Sequence, residues 1–304
     1  MSSASKPPRN NRKGHQPPHT RPPEPPPTVS ARWLAAAFVI TLIFAAVCGY
    51  ATLGLLFYQG QWQLLFHPSR NLTATPATAG LPFQQIHFDV TPSGHPRLDA
   101  WWIPAPLGAR YAADTVLYLH DARGNLSDTV PALTQLHILG LNVFAIDYQG
   151  FGQSTGRHPT ERLANADAAA AWTYLTDIRH IPARNLVVLG NGAGAVFAAH
   201  LAATFAPAGI VLDDPPPAAR QVFLSDARAR LLPLRLLQKE FLDPSTDLAR
   251  SHAPLLFLVR HGDPARTHRL FQSASEPKQF HDLRSAPPAA LPNTLSRFFD
   301  QVLP

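Results

Sequence analysis

The chain has 304 residues, enough for one large domain or two modest ones, and its balance of 45% hydrophobic to 15% charged residues is that of a sequence able to bury a core. The net charge of +6 invites a nucleic-acid reading, yet residues 1–32 hold six of the 26 Lys and Arg (Lys6, Arg9, Arg12, Lys13, Arg21, Arg32) against the single acid Glu24. The remaining chain is nearly neutral and has no basic stripe interleaved with aromatics, so no nucleic-acid partner is expected.

Residues 1–32 also carry nine of the 32 prolines, all between Pro7 and Pro27. Such a segment has too little apolar surface to order itself, and a disordered, basic cytoplasmic tail is expected. From Trp33 to Phe57 there are 25 consecutive uncharged residues. As a helix they reach ~37 Å, more than the ~30 Å of a hydrocarbon core. A transmembrane helix over 33–57 is expected. Bases precede it and the next charge after it is Arg70, which places the N-terminus in the cytoplasm and residues 58–304 on the far, periplasmic or extracytoplasmic, side. The long leader and long apolar run favour an uncleaved signal anchor over a signal peptide. The only cysteine, Cys48, falls inside this segment, so no intramolecular disulfide and no multi-cysteine metal site can form.

After an aromatic and amide-rich connector, Tyr58 to Arg70, short apolar runs alternate with longer amphipathic ones, an α/β rhythm. Strands are expected at Gln85–Val90, Leu98–Ile103, Thr115–His120, Val143–Asp147, Asn185–Leu189, Gly209–Asp213, Leu255–Val259 and Gln279–Leu283. The first two lack a helix between them and predict an antiparallel edge. Helices are expected at Asp128–Leu139, Thr160–Ile178, Gly194–Thr204 and Thr294–Val302. Crossover helices imply a mostly parallel central sheet. Between 214 and 252 the rhythm loosens into prolines, arginines and leucines, as a cap-like insertion would.

Three stretches stand out. Val116-Leu-Tyr-Leu-His-Asp-Ala-Arg-Gly-Asn-Leu-Ser127 runs from an apolar strand into a polar loop, Asp147-Tyr-Gln-Gly-Phe-Gly-Gln-Ser-Thr-Gly156 is a glycine-rich turn, and Asn185-Leu-Val-Val-Leu-Gly-Asn-Gly-Ala-Gly-Ala-Val196 reads strand, tight turn, helix. Together with the Pro254–Asp263 stretch they resemble the α/β-hydrolase superfamily, in particular its membrane-anchored acyl-hydrolase-like and serine-aminopeptidase-like members, over roughly residues 58–303. The resemblance implies an α/β-hydrolase fold with helices on both faces of the sheet. It also implies a nucleophile elbow G-x-S-x-G, which here reads Gly190-Asn191-Gly192-Ala193-Gly194.

The serine position is thus Gly192. The resemblance puts the triad acid at Asp263, whose competing reading is a turn residue before Pro264, and the triad histidine near Pro287 and Pro288, neither of which can carry a proton. His281, His261 and His268 are the nearest histidines, and with 14 in the chain proximity alone means little. The oxyanion-loop positions are His120, Asp121 and Ala193, and Asp121 replaces a glycine where donors aimed at negative charge are wanted. Departures at nucleophile, base and oxyanion loop together predict loss of serine-hydrolase chemistry.

Two rivals remain. Gly190-x-Gly192-x-x-Ala195 fits a dinucleotide fingerprint with Asp213 as the ribose-binding acid, although such fingerprints normally open their domain. A relocated nucleophile in 214–250, working with His268 or His281, would preserve esterase- or peptidase-like acyl transfer. The leading expectation is a pseudohydrolase without cofactor or metal, binding a lipid, peptide or protein in the former active-site pocket.

Overall fold

A computed structural model describes residues 28–90, 94–156 and 158–304. The bulk of the expected disordered tail lies outside the described residues. The chain divides into two compact units meeting at Ala51 and Thr52.

Helix α1, Ala31–Gly60, runs two residues earlier and three later than expected. It is long and apolar enough to cross a membrane, and its 30 residues correspond to ~45 Å. Up to Ala51 its large side chains face outward: Phe44 is 69% exposed and Ile40 66%. The connector expected after it contains a helical turn, α2 (Trp62–Leu65), and a two-residue strand, β1 (His67–Pro68).

The rest of the second unit is the sheet and its covering helices. In chain order it comprises β2 (Gln84–Val90), β3 (Pro96–Ile103), β4 (Thr115–Leu119), the short β5 (Arg123–Gly124), α3 (Val130–Ile138), β6 (Asn142–Asp147), α4 (Glu161–Thr173), β7 (Leu186–Asn191), α5 (Gly194–Thr204) and β8 (Gly209–Asp213). The cap-like insertion then supplies α6 (Ala219–Ser225), α7 (Leu234–Leu237) and α8 (Ser245–Arg250), and the fold closes with β9 (Leu255–Val259), α9 (Pro264–Ser273), β10 (Lys278–Asp282) and α10 (Ala290–Val302).

The eight-stranded sheet has the order β10-β9-β8-β7-β4-β6-β3-β2. From β10 to β6 every pairing is parallel, and β3 and β2 form the expected antiparallel edge. Period-2 alternation sends successive side chains to opposite faces. Leu117, Phe144, Val188, Leu212 and Phe257 join α4 and α5 in one core, whereas Val116, Val143, Val187, Val211 and Leu256 join α3 and α10 in the other.

Boundary differences have local causes. The expected helix 160–178 starts where Thr160 Oγ1 accepts from Leu163 N at 3.2 Å, but its final turn is a π-turn, Tyr174–Ile178. Val130 opens α3 later than expected because Leu126–Thr129 forms a 3-10 turn, closed by a reciprocal capping box between Asn125 and Asp128. The strand expected to end at Leu189 continues through Gly190 and Asn191, so the elbow begins at Gly192. Helix α9 was not expected at all.

Candidate functional site

The carboxyl ends of β4, β7 and β8 and the N-terminus of α5 define the place where this topology puts ligands. At the end of β7 the chain reverses through Gly192, whose φ of +55° is left-handed. That conformation costs a side chain strain, a cost an elbow serine would bear. Gly194 lies where an added Cβ would strike the backbone of Leu119 and His120, which explains the glycine for packing alone. Gly192 N–H donates to Asp213 O at 2.9 Å.

Space at Gly192 is taken. A Cβ built there would overlap the carboxylate of Asp121 and lie 2.8 Å from its Cβ. The Asp121 carboxylate also accepts the Ala193 N–H at 2.8 Å. Asp121 therefore fills the space that a side chain on Gly192 would need and holds the backbone N–H that follows it. The half-buried carboxylate therefore stands beside the N-terminus of α5, where the helix dipole favours an anion, and its charge faces the position where negative charge would develop.

His120 does not line this opening. Its side chain is 2% exposed, with Nδ1 2.6 Å from Asp121 O and Nε2 3.3 Å from Asp147 Oδ1, the latter outside hydrogen-bond alignment. Its ring packs on Tyr148 and Phe151, and Tyr148 Oη donates to His120 O at 3.0 Å. Asp147, fully buried, accepts from Leu126 N at 3.1 Å. The turn after Asp147 is held from several sides. Ser154 Oγ donates to Asp147 O at 2.5 Å and accepts from Asp99 N at 2.9 Å. Gln149 gives its backbone and side-chain N–H groups to Asp167 at 2.8 and 2.7 Å, and the Arg70 guanidinium reaches the carbonyls of Gly152, Ser154 and Gly156. Burial pushes the Asp167 carboxyl up to about 6, against the pull of the two Gln149 bonds.

Behind the elbow, Asp213 is held by the Arg260 guanidinium in a bidentate pair and by Asn191 Nδ2 at 3.0 Å. Burial pushes its carboxyl up and Arg260 opposes that. Asp214, with φ +51°, accepts the backbone N–H groups of Arg260, His261 and Gly262 at 2.8–2.9 Å. Sequence reasoning missed this Arg260–Asp213–Asn191 cluster, since nothing in the spacing pairs residues 47 apart. The dinucleotide reading meets two obstacles: Asp213 is engaged, and the helix N–H that would hold a pyrophosphate is bound to Asp121.

Asp263 is the N-cap of α9, with Oδ1 accepting from Ala265 N at 2.9 Å and Pro264 opening the helix. The turn reading thus describes what its side chain does. Pro288 is exposed in the loop between β10 and α10. His268 packs between Phe271 and Phe280, His281 stands in β10 opposite Leu258, its ring held below the ordinary value by burial, and His261 is exposed. Among the described residues no group of three or more His, Cys, Asp or Glu could hold a metal.

An eight-stranded, mostly parallel sheet with an antiparallel edge, a glycine elbow before its central helix and a helical insertion after β8 defines the α/β-hydrolase fold. The esterase Pf2001 of Pyrococcus furiosus superposes with a TM-score of 0.60 at 17% identity, covering 79% of this chain and 98% of its own. An alpha-beta hydrolase of Vibrio vulnificus gives 0.57 at 17% identity, over 74% and 81%. In sequence, an uncharacterised protein of Mycobacterium tuberculosis is 30% identical over 258 residues, 84% of each chain. The human alpha/beta hydrolase domain-containing protein 17B is 33% identical over 90 residues, covering 30% of this chain and 31% of its own. No protein-family model matches. The chain has the α/β-hydrolase fold and belongs to the same family as the Mycobacterium tuberculosis protein.

Proposed function

We propose that the protein is a membrane-anchored pseudohydrolase: α1 holds it in the bilayer with the N-terminus cytoplasmic, and the hydrolase-fold body binds a lipid, peptide or protein without cleaving it. The observation that carries this reading is the Asp121 carboxylate lodged against Gly192 and on Ala193 N–H. Acyl transfer through an elbow needs a nucleophile and an empty donor for the oxyanion. Here the nucleophile position has no side chain and the donor already holds an internal anion. Gly192, Asp263 and Pro288 stand as vestiges of the triad, and His120, Asp121 and Ala193 as vestiges of the oxyanion loop.

Labelling the full-length protein in detergent with a fluorophosphonate probe tests it. Wild type is expected to remain unlabelled, as is Gly192→Ser alone, since Asp121 still fills the site. Labelling of the wild-type chain would overturn the reading, and mapping the modified residue would identify a relocated nucleophile. Reaction confined to the triple change Gly192→Ser, Asp121→Gly, Pro288→His would locate the block in these three positions.

A further inference from the structure

The cap segment from Ala219 to Phe241 has a charge character of its own. It holds five bases, Arg220, Arg228, Arg230, Arg235 and Lys239, against two acids, Asp226 and Glu240, whereas residues 33–304 as a whole have 20 bases against 19 acids. All five bases are exposed. Glu240 is buried and accepts from Glu161 N at 2.6 Å, so its charge is turned away from the surface. Large apolar side chains stand among the bases, with Leu236 82% exposed and Leu224 42%.

This segment is fixed to the last turns of α1, residues 52–60, which belong to the same compact unit. Gln61, 2% exposed, donates to Leu237 O at 3.2 Å and accepts from Lys239 N at 2.8 Å and Glu240 N at 3.3 Å. The rings of Phe57 and Phe223 meet edge to face at 5.2 Å, and the Lys239 ammonium stands 3.4 Å over the Tyr58 ring. Between helix and cap lies a cavity of ≈ 600 Å³, with Leu53, Leu56, Phe57, Trp62 and Leu232 among its apolar walls and the Arg228–Asp226 pair, 2.8 Å apart, among its polar ones. That volume is within the range of small-molecule sites.

We infer that this cap face rests on the bilayer surface and binds anionic phospholipid, with phosphates against the exposed Arg and Lys side chains and one acyl chain in the cavity. The inference rests on the membrane-anchor reading of α1 and is independent of whether the elbow is catalytic. Tyr58 and Trp62 come at the end of the apolar span and so take the headgroup level that amphipathic aromatics prefer. Bases held against Tyr58, or lining the cavity with Trp62, then lie within reach of phosphates. Exposed leucines among bases, on a segment pinned to the end of a membrane helix, are the composition of an element lying in the interface.

The test uses the full chain in nanodiscs of phosphatidylcholine alone or mixed with phosphatidylglycerol. In a Cys48→Ala background, one environment-sensitive dye is placed at Leu236→Cys and quenched by nitroxide-bearing lipids. Phe44→Cys reports the anchor, and Ile138→Cys, 73% exposed at the end of α3, reports the aqueous body. The Leu236 label is expected to be quenched more than the Ile138 label, and more strongly with phosphatidylglycerol present. Arg228→Gln, Arg230→Gln and Arg235→Gln together should remove that increment, since each base near an anionic surface strengthens association about fivefold. A Leu236 label as unquenched as Ile138 in both bilayers, with Phe44 quenched, overturns the inference and leaves the anchor intact. Phe44 left unquenched overturns both. Leu236 shielding that appears only on adding another protein assigns the surface to a protein partner and overturns the lipid reading.

Discussion

Two glycine-rich turns at the ligand end of the sheet differ in what their residues are held to. The turn from Asp147 to Gly156 keeps its motif, and many of its polar groups have partners inside the fold, although Asp147 Oδ2 is buried without one: Asp147 Oδ1 on Leu126 N–H, Ser154 on Asp99, Gln149 on Asp167, and three carbonyls on Arg70. The turn from Gly190 to Gly194 keeps only the glycines its close packing requires and lacks the hydroxyl that chemistry would require. Residues that satisfy buried backbone groups cannot be removed without an unpaired donor or acceptor. Position 192 carries no such structural duty for a side chain, and the Asp121 carboxylate fills the space beside it. The difference teaches that a motif serving the scaffold is a poor witness for catalysis.

Three measurements sharpen that contrast, and the largest effect is expected at the scaffold turn. Asp147→Ala leaves Leu126 N–H without its acceptor and His120 beside a void, and should lower stability by about 3 kcal/mol, read by urea unfolding of the full chain in detergent. A loss near zero would mean that the turn is kept for something other than the scaffold.

The next effect is a pH dependence at the same turn. Asp167 titrates at about 6 in the folded protein from an ordinary value of 3.8, so between those values the native state binds a proton the unfolded chain has lost. Stability contributed by protonated Asp167 is complete below about pH 4 and is lost as pH rises through 6, by up to ~3 kcal/mol at ~1.4 kcal/mol per unit. Asp167→Asn should flatten that slope. Unfolding curves at about pH 4 and pH 7 check the sign, and parallel profiles for wild type and variant would remove the assignment to this carboxyl.

The smallest effect lies at the elbow and is a coupling. Gly192→Ser alone adds a Cβ against Asp121 in left-handed backbone and should cost ~2 kcal/mol. In an Asp121→Gly background the collision is gone, so the same change should cost about 1 kcal/mol less, a coupling a double-mutant cycle can resolve. Additive costs would show that Asp121 moves aside freely and does not own the site.

Much of the fold was legible in the chain. Residues 33–57 announced an apolar helix, and strand positions and the antiparallel edge came from alternation and from the absence of a crossover. The resemblance to α/β-hydrolases rested on four stretches, 116–127, 147–156, 185–196 and 254–263, whose glycines include close-packed ones such as Gly190 and Gly194. Helix α9 was signalled too, by Asp263 at the N-cap and Pro264 at the first position, but the turn reading of Asp263 stopped at Pro264 and was not extended into a helix. The Arg260 pair with Asp213 was not legible, because a bidentate contact between neighbouring strand ends depends on sheet order.

By itself, the sequence determined that Gly192 and Pro288 cannot attack or carry a proton, because the chemistry of a single side chain decides it. Tertiary structure alone decided where Asp121 points, that His120 turns inward to Asp147, and that the basic cap is tied to the end of α1 through Gln61. Those are contacts across the end of β4 and α5, of β4 and β6, and of the helix and a segment about 180 residues on, and a distance through space between such segments is fixed only when the sheet has ordered its strands.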